Sequence, residues 1–221
     1  MNTNSNAYTI IYASVMVIIV AFVLAFTSSS LKDIQTKNVE LDKMKQILSA
    51  LQIDTKGQDA EALYKTYIKK DQIIDTKGNV VAEEGGFYNV QSEDKLSLFI
   101  AEVDGQTKYI IPLNGNGLWG AIWGYVALDA DKNTVYGTYF SHAGETPGLG
   151  AEIATTGFQE PFKGKHIKKD GQVVSIAVVK PGKTADGQEY VDGISGGTIT
   201  SVAVQDMLKN NLKDYTSFLT K

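Results

Sequence analysis

Hydroxyl side chains cluster just before the last apolar segment of the sequence. They are Ser195, Thr198, Thr200 and Ser201, with Gly196 and Gly197 between them. The apolar spacing from Ser201 onward predicts a terminal helix. The first turn of a helix carries unpaired N–H groups and the positive end of the helix dipole, so it favours an anion. One hydroxyl, of Thr200 or Ser201, would suffice as a helix cap, whereas the whole cluster beside Asp192 favours a phosphate-bearing ligand.

A second loop of small residues follows His142 and Glu145. Its members are Thr146, Pro147, Gly148, Leu149 and Gly150. Thr146 offers a hydroxyl, Pro147 restricts the backbone, and the two glycines permit close approach to a flat ligand. The alternative is a tight turn that leads into a short helix.

Three other patterns point to chemistry that their surroundings do not support. The G-x-G-x-x-G pattern of residues 115–120 is followed by an alternating, strand-like segment, whereas a dinucleotide site requires a helix there. The G-x-S-x-G pattern of residues 193–197 lacks the downstream histidine of a hydrolase, because both histidines precede it. His142 and Glu145 offer two metal ligands and no third. The sequence therefore predicts no catalytic residue and no metal site.

The composition excludes further classes of protein. The 221 residues include 21 basic side chains, all of them lysine, and 25 acidic ones, for a net charge of -4. A nucleic-acid-binding protein is normally basic and uses arginine to contact phosphates and bases, so no nucleic-acid partner is expected. The absence of cysteine excludes disulfides, cysteine-ligated iron–sulfur clusters and a cysteine nucleophile.

The N-terminal region predicts a membrane anchor. Residues 8–27 carry no charge, and about 20 apolar residues suffice for a helix to cross the hydrocarbon core. A cleaved signal peptide would begin with lysine or arginine and have a shorter apolar stretch, so a retained helix at 8–28 is favoured. Residues 1–7 would precede it, and membrane lipid would surround it. Counting the lysines that follow the helix would place the rest of the chain in the cytoplasm.

The remaining pattern predicts an α+β fold with mainly antiparallel strands and flanking helices. Residues 29–84 are expected to form a helical connecting region, which includes a helix at 59–70. A single domain would follow at 85–221. Its strands are expected at 87–90, 96–103, 108–113, 121–129, 134–142 and 173–179, with a short helix in 150–160 and the terminal helix from residue 201.

The segment from Asp192 to Thr198 resembles the flavin-attachment motif of the FMN-binding domain family. In that family, the threonine that closes a Ser-Gly-Ala-Thr core carries FMN through a phosphoester bond. A magnesium-dependent flavin transferase makes this bond from FAD. The resemblance implies that Thr198 is the acceptor, with Thr200 as the competing candidate. The sequence departs from the motif at Gly197, where alanine is usual.

Upstream segments narrow the resemblance, which covers roughly residues 85–215. Residues 116–120, 134–137 and 142–153 look like the C-subunit family of sodium-translocating NADH:quinone reductases. The G subunits of the Rnf complex share the single anchor, the His…Glu-Thr-Pro-Gly loop and the attachment motif, but they generally lack the Gly-Leu-Trp element. A membrane-anchored binding module without a redox role, in which the glycine loops are only turns, is the alternative from another class.

The resemblance implies an electron-relay subunit with no catalytic activity of its own. The whole complex would oxidise NADH, reduce quinone and export sodium, so the other subunits and the flavin transferase are the expected partners. The domain would lie on the periplasmic side of the inner membrane, contrary to the lysine count. Ser195, Thr200 and Ser201 would donate hydrogen bonds around the phosphate, and the backbone of residues 146–150 would border the flavin ring. Leu118 and Trp119 would pack nearby, although Trp119 is equally suited to a protein core.

Overall fold

The computed structural model describes residues 5–92 and 94–221. Residues 1–4, which begin the predicted segment 1–7, and Glu93 lie outside the described residues. The chain divides into two compact units, one that ends at Lys43 and one that spans Met44–Lys221.

The first unit consists of most of one long helix. Helix α1 runs from Asn6 to Ala50, and it contains an 18-residue window with mean hydropathy 2.7 that is not buried by the rest of the protein. Its length and composition suit a membrane span, which is the apolar N-terminal helix that the sequence predicts. The bounds of 8–28 for the span itself stay a prediction.

The second unit is built on a six-stranded antiparallel sheet. Its strands lie in the order β2-β1-β3-β4-β5-β6. Their bounds are β1 Ile68–Ile74, β2 Val80–Ala82, β3 Leu96–Val103, β4 Gln106–Asn116, β5 Ala121–Leu128 and β6 Val135–His142. Two short pairs complete the strands: β7 Lys168–Lys169 is antiparallel to β8 Gln172–Val173, and β9 Ala177–Val179 is parallel to β10 Tyr190–Asp192.

Helices flank this sheet, as the α+β prediction requires. They are α2 Ala60–Tyr67, α3 Thr156–Gln159, α4 Thr198–Asp214 and α5 Thr216–Thr220, and 3-10 turns at Gly150–Ala154 and Glu160–Phe162 lie on either side of α3. The predicted class, with one apolar N-terminal helix and a mainly antiparallel domain, is confirmed.

The two faces of the sheet bury two separate apolar clusters, because side chains alternate along a strand. On β4, Ile111 belongs to the cluster that includes Val204 and Leu208 of α4. Its neighbour Ile110 belongs to the cluster that includes Ile47 at the end of α1. The sheet therefore supports α4, whose first turn carries Thr198, Thr200 and Ser201.

Three phenylalanines support the segment that follows the second small-residue loop. Phe140 of β6, Phe158 of α3 and Phe162 pack edge to face, with ring centroids 5.2–6.1 Å apart. Such pairs stabilise a core beyond the apolar area that they bury. The cluster anchors residues 150–162 to the sheet.

Several predicted elements are wrong in detail. Residues 87–90 do not form a strand: 87 and 88 lie in a turn, and 89 and 90 have no regular structure. Phe87 is a buried core residue, and its N–H donates to the Asp71 side chain at Oδ2, 3.0 Å away, rather than to a neighbouring strand. The helix expected at 59–70 ends at Tyr67, and residues 68–82 of the expected helical region contain β1 and β2. The strand expected at 173–179 is interrupted at Ser175, whose φ of 66° breaks the extended backbone.

The start of the terminal helix also differs from the prediction. Helix α4 begins at Thr198, three residues before Ser201. The segment Thr198-Ile-Thr contains only β-branched residues, which have low helix propensity, so local preference gave no signal for a helix there.

Replacing Phe162 tests the aromatic support. Phe162 is fully buried, so Phe162→Ala should lower the free energy of unfolding of the full chain by about 3–5 kcal/mol. Chemical denaturation in detergent, followed by circular dichroism, measures the change. The control is Tyr88→Ala, which removes a ring that is 72% exposed and should have a much smaller effect. Equal losses for the two variants would contradict the proposed support.

Candidate functional site

The first turn of α4 lacks a side-chain cap among the described residues. Gly197 is the N-cap residue, and no side chain caps the helix there. The N–H groups of the first turn therefore have no partner from the cap residue, and the positive end of the dipole of this 17-residue helix lies among them. Thr198 is the first helical residue and lies next to these groups, where it lines the cavity described below.

The other hydroxyls of the cluster have different surroundings. Thr200 is 2% exposed and donates to Glu145 Oε2 at 2.7 Å. Ser201 is buried; it donates to the Gly197 carbonyl oxygen and accepts from the Ile194 N–H, both at 2.9 Å. Neither residue is the helix cap, so that interpretation is wrong. Both hydroxyls are engaged within the protein, and their contacts hold the loop before α4.

The backbone of this loop depends on glycine at two positions. Gly196 has φ +78°, a conformation that side-chain-bearing residues rarely adopt. At Gly197, a Cβ atom would lie 3.0 Å from Ile194 Cγ2, which is tighter than ordinary contact. The glycine that departs from the usual alanine of the motif therefore has a local reason, the isoleucine three residues earlier.

A cavity of about 460 Å³ adjoins Thr198. Its volume is within the range of small-molecule sites. It is lined by Val178, Val179, Lys180, Pro181, Gly193, Ile194, Ser195, Gly196, Thr198, Ser201 and Val202. Ser195 and Gly196 thus line the same cavity as Thr198.

Sequence reasoning missed one wall of the cavity. Residues 178–181 reach the site because β9 pairs in parallel with β10, and the Gly193 N–H donates to the Val179 carbonyl oxygen at 2.6 Å. A pairing between short, distant strands leaves no periodic signal in the sequence. The Lys180-Pro-Gly turn was the available hint, since it places an exposed cation after an apolar strand.

The second small-residue loop meets the first at Leu149 and Gly150. A Cβ atom at Gly196 would lie 2.8 Å from Leu149 Cδ2, and Gly150 packs against Thr200. Thr146, Pro147 and Gly148 are exposed, and none of the three lines the cavity. The structure therefore brings only part of this loop to the start of α4.

Leu118 and Trp119 lie in the turn between β4 and β5. They are 49% and 69% exposed, so Trp119 is not a core residue, and neither side chain lines the cavity. The strand β5 follows the turn at Ala121, in agreement with the rejection of a dinucleotide site. These two side chains and Leu149 belong to the exposed apolar surface around the site.

Glu145 links these segments. It is 5% exposed; Oε1 accepts from the Trp119 N–H at 2.8 Å, and Oε2 accepts from Thr200. Burial alone raises the pKa of Glu145, but hydrogen bonds from Trp119, Thr200 and Leu118, together with nearby His142, outweigh it and hold the pKa below the ordinary glutamate value.

His142 has a structural contact rather than a metal ligand's geometry. Its Nδ1 accepts from the Glu145 N–H at 3.1 Å. Within residues 5–92 and 94–221, no three His, Asp or Glu side chains lie close enough to hold a metal ion. His142 therefore helps to orient the loop that carries Glu145.

The lowered pKa of Glu145 predicts a pH dependence of stability. Because the folded protein holds the carboxylate ionised, the unfolded chain binds more protons as the pH falls below about 5, and stability is lost towards the folded-state pKa. Glu145→Gln should flatten the decrease of the free energy of unfolding between about pH 5 and 3, measured by denaturant titration at several pH values. An unchanged slope would contradict the assigned hydrogen bonds.

Comparisons with known proteins agree with this architecture. Residues 117–213 match the FMN-binding domain family. The C subunit of the Na(+)-translocating NADH-quinone reductase from Vibrio anguillarum is 31% identical, over 92% of this chain and 89% of the relative. The crystal structure of the corresponding protein from Parabacteroides distasonis is 48% identical, with a TM-score of 0.83 over 86% of this chain and 98% of the solved one.

A solved structure with lower sequence identity has the same fold. Shewanella oneidensis NqrC superposes with a TM-score of 0.70 at 24% identity, over 82% of this chain and 97% of that one. The identity to the Vibrio relative and the nearly full coverage of these chains establish the family. The chain belongs to the NqrC family, the C subunits of Na(+)-translocating NADH-quinone reductases.

Proposed function

We propose that this chain is the electron-transfer subunit of a sodium-translocating NADH:quinone reductase and that it carries FMN on Thr198 through a phosphoester bond. The observation that carries the proposal is the position of Thr198 at the uncapped start of α4, in the wall of the cavity of about 460 Å³. Family membership and the FMN-binding domain match support the cofactor. When bound, the flavin supplies the electron transfer, so the chain needs no catalytic residue of its own.

The residues around Thr198 fit a phosphate-bearing cofactor. The open N–H groups of the first turn and the positive end of the helix dipole offset phosphate charge. Lys180 lines the same cavity and adds a cation. Val178, Val179 and Val202 supply apolar surface against which a flat ring would pack.

Attachment is a phosphoryl transfer that the flavin transferase performs. Thr198 would supply the accepting oxygen: it would bond to the phosphorus on the FMN side of FAD with loss of the hydroxyl proton, and AMP would be the leaving group. Thr198 suits this reaction because it lines the cavity, whereas Thr200 is buried and hydrogen-bonded to Glu145. Thr198 is therefore the acceptor that we propose over Thr200.

The apolar part of α1 and the family support a membrane setting for this subunit. The apolar part of α1 would cross the inner membrane with the N-terminus in the cytoplasm, and the domain would lie on the periplasmic side in contact with other subunits. The turn with Leu118 and Trp119 favours the sodium pump over the Rnf complex, whose G subunits generally lack this element.

Covalent attachment is testable by mass spectrometry. Production of the full chain with a flavin transferase should yield a yellow protein whose colour survives denaturation and whose mass increases by one FMN ester. Thr198→Ala should abolish the adduct, since it removes the accepting oxygen. Thr184→Ala, which removes an exposed hydroxyl from the loop between β9 and β10, should retain it. A colourless wild type, or an adduct on Thr198→Ala, would contradict the proposal and favour a non-redox binding module.

The topology is testable because the chain has no cysteine. In spheroplasts, a membrane-impermeant maleimide should label Lys169→Cys, an exposed position in the domain, without lysis. Asn6→Cys should react only after lysis, because it is the first residue of α1 and lies before the apolar stretch of residues 8–27. Labelling in the reverse order would place the domain in the cytoplasm, as the lysine count predicts.

A further inference from the structure

Glu145 is a buried carboxylate that binds to two segments besides its own. One oxygen accepts from the backbone of the β4–β5 turn at Trp119, and the other accepts from Thr200 in the first turn of α4. A charge that is 5% exposed is costly to bury unless its lone pairs are satisfied. These contacts satisfy it, and they tie the two segments to the loop of residues 145–150.

Two glycines leave the space that the carboxylate occupies. A Cβ atom at Gly117 would lie within 2.5 Å of Glu145 Oε1, and a Cβ atom at Gly150 would overlap Oε2 and the Thr200 hydroxyl. Neither glycine has a positive φ, so the constraint is space rather than backbone conformation. Gly117 and Gly150 therefore both leave room for the Glu145 carboxylate, one near each of its oxygens.

One of the segments that meet at Glu145, the first turn of α4, carries the proposed attachment point, and Leu149 of the 145–150 loop lies against Gly196 in the loop before it. Thr198 and Thr200 share the first turn of α4, with Thr198 in the cavity wall and the Thr200 side chain buried. The exposed Trp119 and Leu149 side chains lie on the other two segments. A shift of the carboxylate would move these apolar side chains relative to Thr198.

We propose that Glu145 is a positioning residue that holds the β4–β5 turn, the 145–150 loop and the first turn of α4 in one arrangement around the attached flavin. This inference rests on the proposed function. It assigns the geometry of the flavin surroundings to one hydrogen-bonded carboxylate rather than to apolar packing, and it makes the Trp119 turn dependent on a residue 26 positions away in the chain.

The first test needs no flavin. Hydrogen exchange of the full chain, purified in detergent without transferase, should show the Trp119 amide exchanging at least about tenfold faster in Glu145→Ala, because a hydrogen bond to a charged acceptor is lost. Glu145→Gln should restore part of the protection, since its amide oxygen still accepts from Trp119. Gly150→Ala should accelerate exchange as well, since it displaces the carboxylate without removing it.

The matched control is Glu152→Ala. Glu152 accepts the Gly148 N–H at 3.1 Å in the same loop region. Loss of this carboxylate should leave exchange at Trp119 at the wild-type rate. Equal exchange at Trp119 in the wild type, Glu145→Ala and Gly150→Ala would overturn the proposal.

The second test uses the chain that carries flavin. The visible circular dichroism of FMN reports whether the protein holds the flavin in one asymmetric environment. A change in global stability alone does not alter this signal while the protein stays folded. Glu145→Ala should lose much of this signal at temperatures well below unfolding, whereas Glu152→Ala should keep it. A wild type without an adduct would refute the proposed function. A flavinylated Glu145→Ala with the wild-type signal would refute the positioning role alone.

Discussion

The site depends on satisfying one buried negative charge. Glu145 is taken out of water, and its oxygens are paired with hydrogen-bond donors from the chain on either side of it in sequence. A buried carboxylate without such partners would cost several kcal/mol or become protonated. Its hydrogen bonds hold the pKa low, so the contacts persist at neutral pH. The loops around α4 are thus arranged by electrostatics, while the sheet beneath them is arranged by apolar packing.

The hydroxyl cluster serves two purposes that the sequence does not separate. Thr200 and Ser201 point into the protein and fix the first turn of α4 and the loop before it. Thr198 lines the neighbouring cavity at the same turn, where the open N–H groups are suited to a phosphate ester. The buried hydroxyls of Thr200 and Ser201, which hold the loop, and the exposed Ser195 and Thr198 at the cavity together explain why the motif is rich in Ser and Thr.

Local sequence patterns predict the regular parts of this fold well. The strands at 96–103 and around 108–113, 121–129 and 134–142 follow from alternation, and the apolar helix follows from composition. The errors arise where tertiary context decides. Strand β1 contains Lys69, Lys70 and Asp71 on a helix-like pattern, and it becomes a strand because it pairs with β3. Phe87 resembles a strand residue but fills the core from a turn.

The candidate site likewise has a part that the sequence predicts and a part that depends on tertiary structure. Thr198, Ser195 and Gly196 could be found from a contiguous motif, and the structure brings them to one cavity. The cavity wall at residues 178–181 could not be found from the sequence, because it depends on the parallel pairing of β9 and β10 across a ten-residue connection. The contacts of Glu145 also could not be found from the sequence. Its hydrogen-bond partners, Trp119 and Thr200, lie 26 and 55 positions away, and no periodicity links them to it.

The most direct measurement is peptide mapping of the chain isolated from its native membrane complex. Cleavage after lysine yields the peptide 184–209, which contains every hydroxyl of the cluster. Fragmentation should locate one FMN phosphoester on Thr198 and leave Ser195, Thr200 and Ser201 unmodified. An unmodified peptide from the assembled complex, or a flavin on another residue, would contradict the central claim.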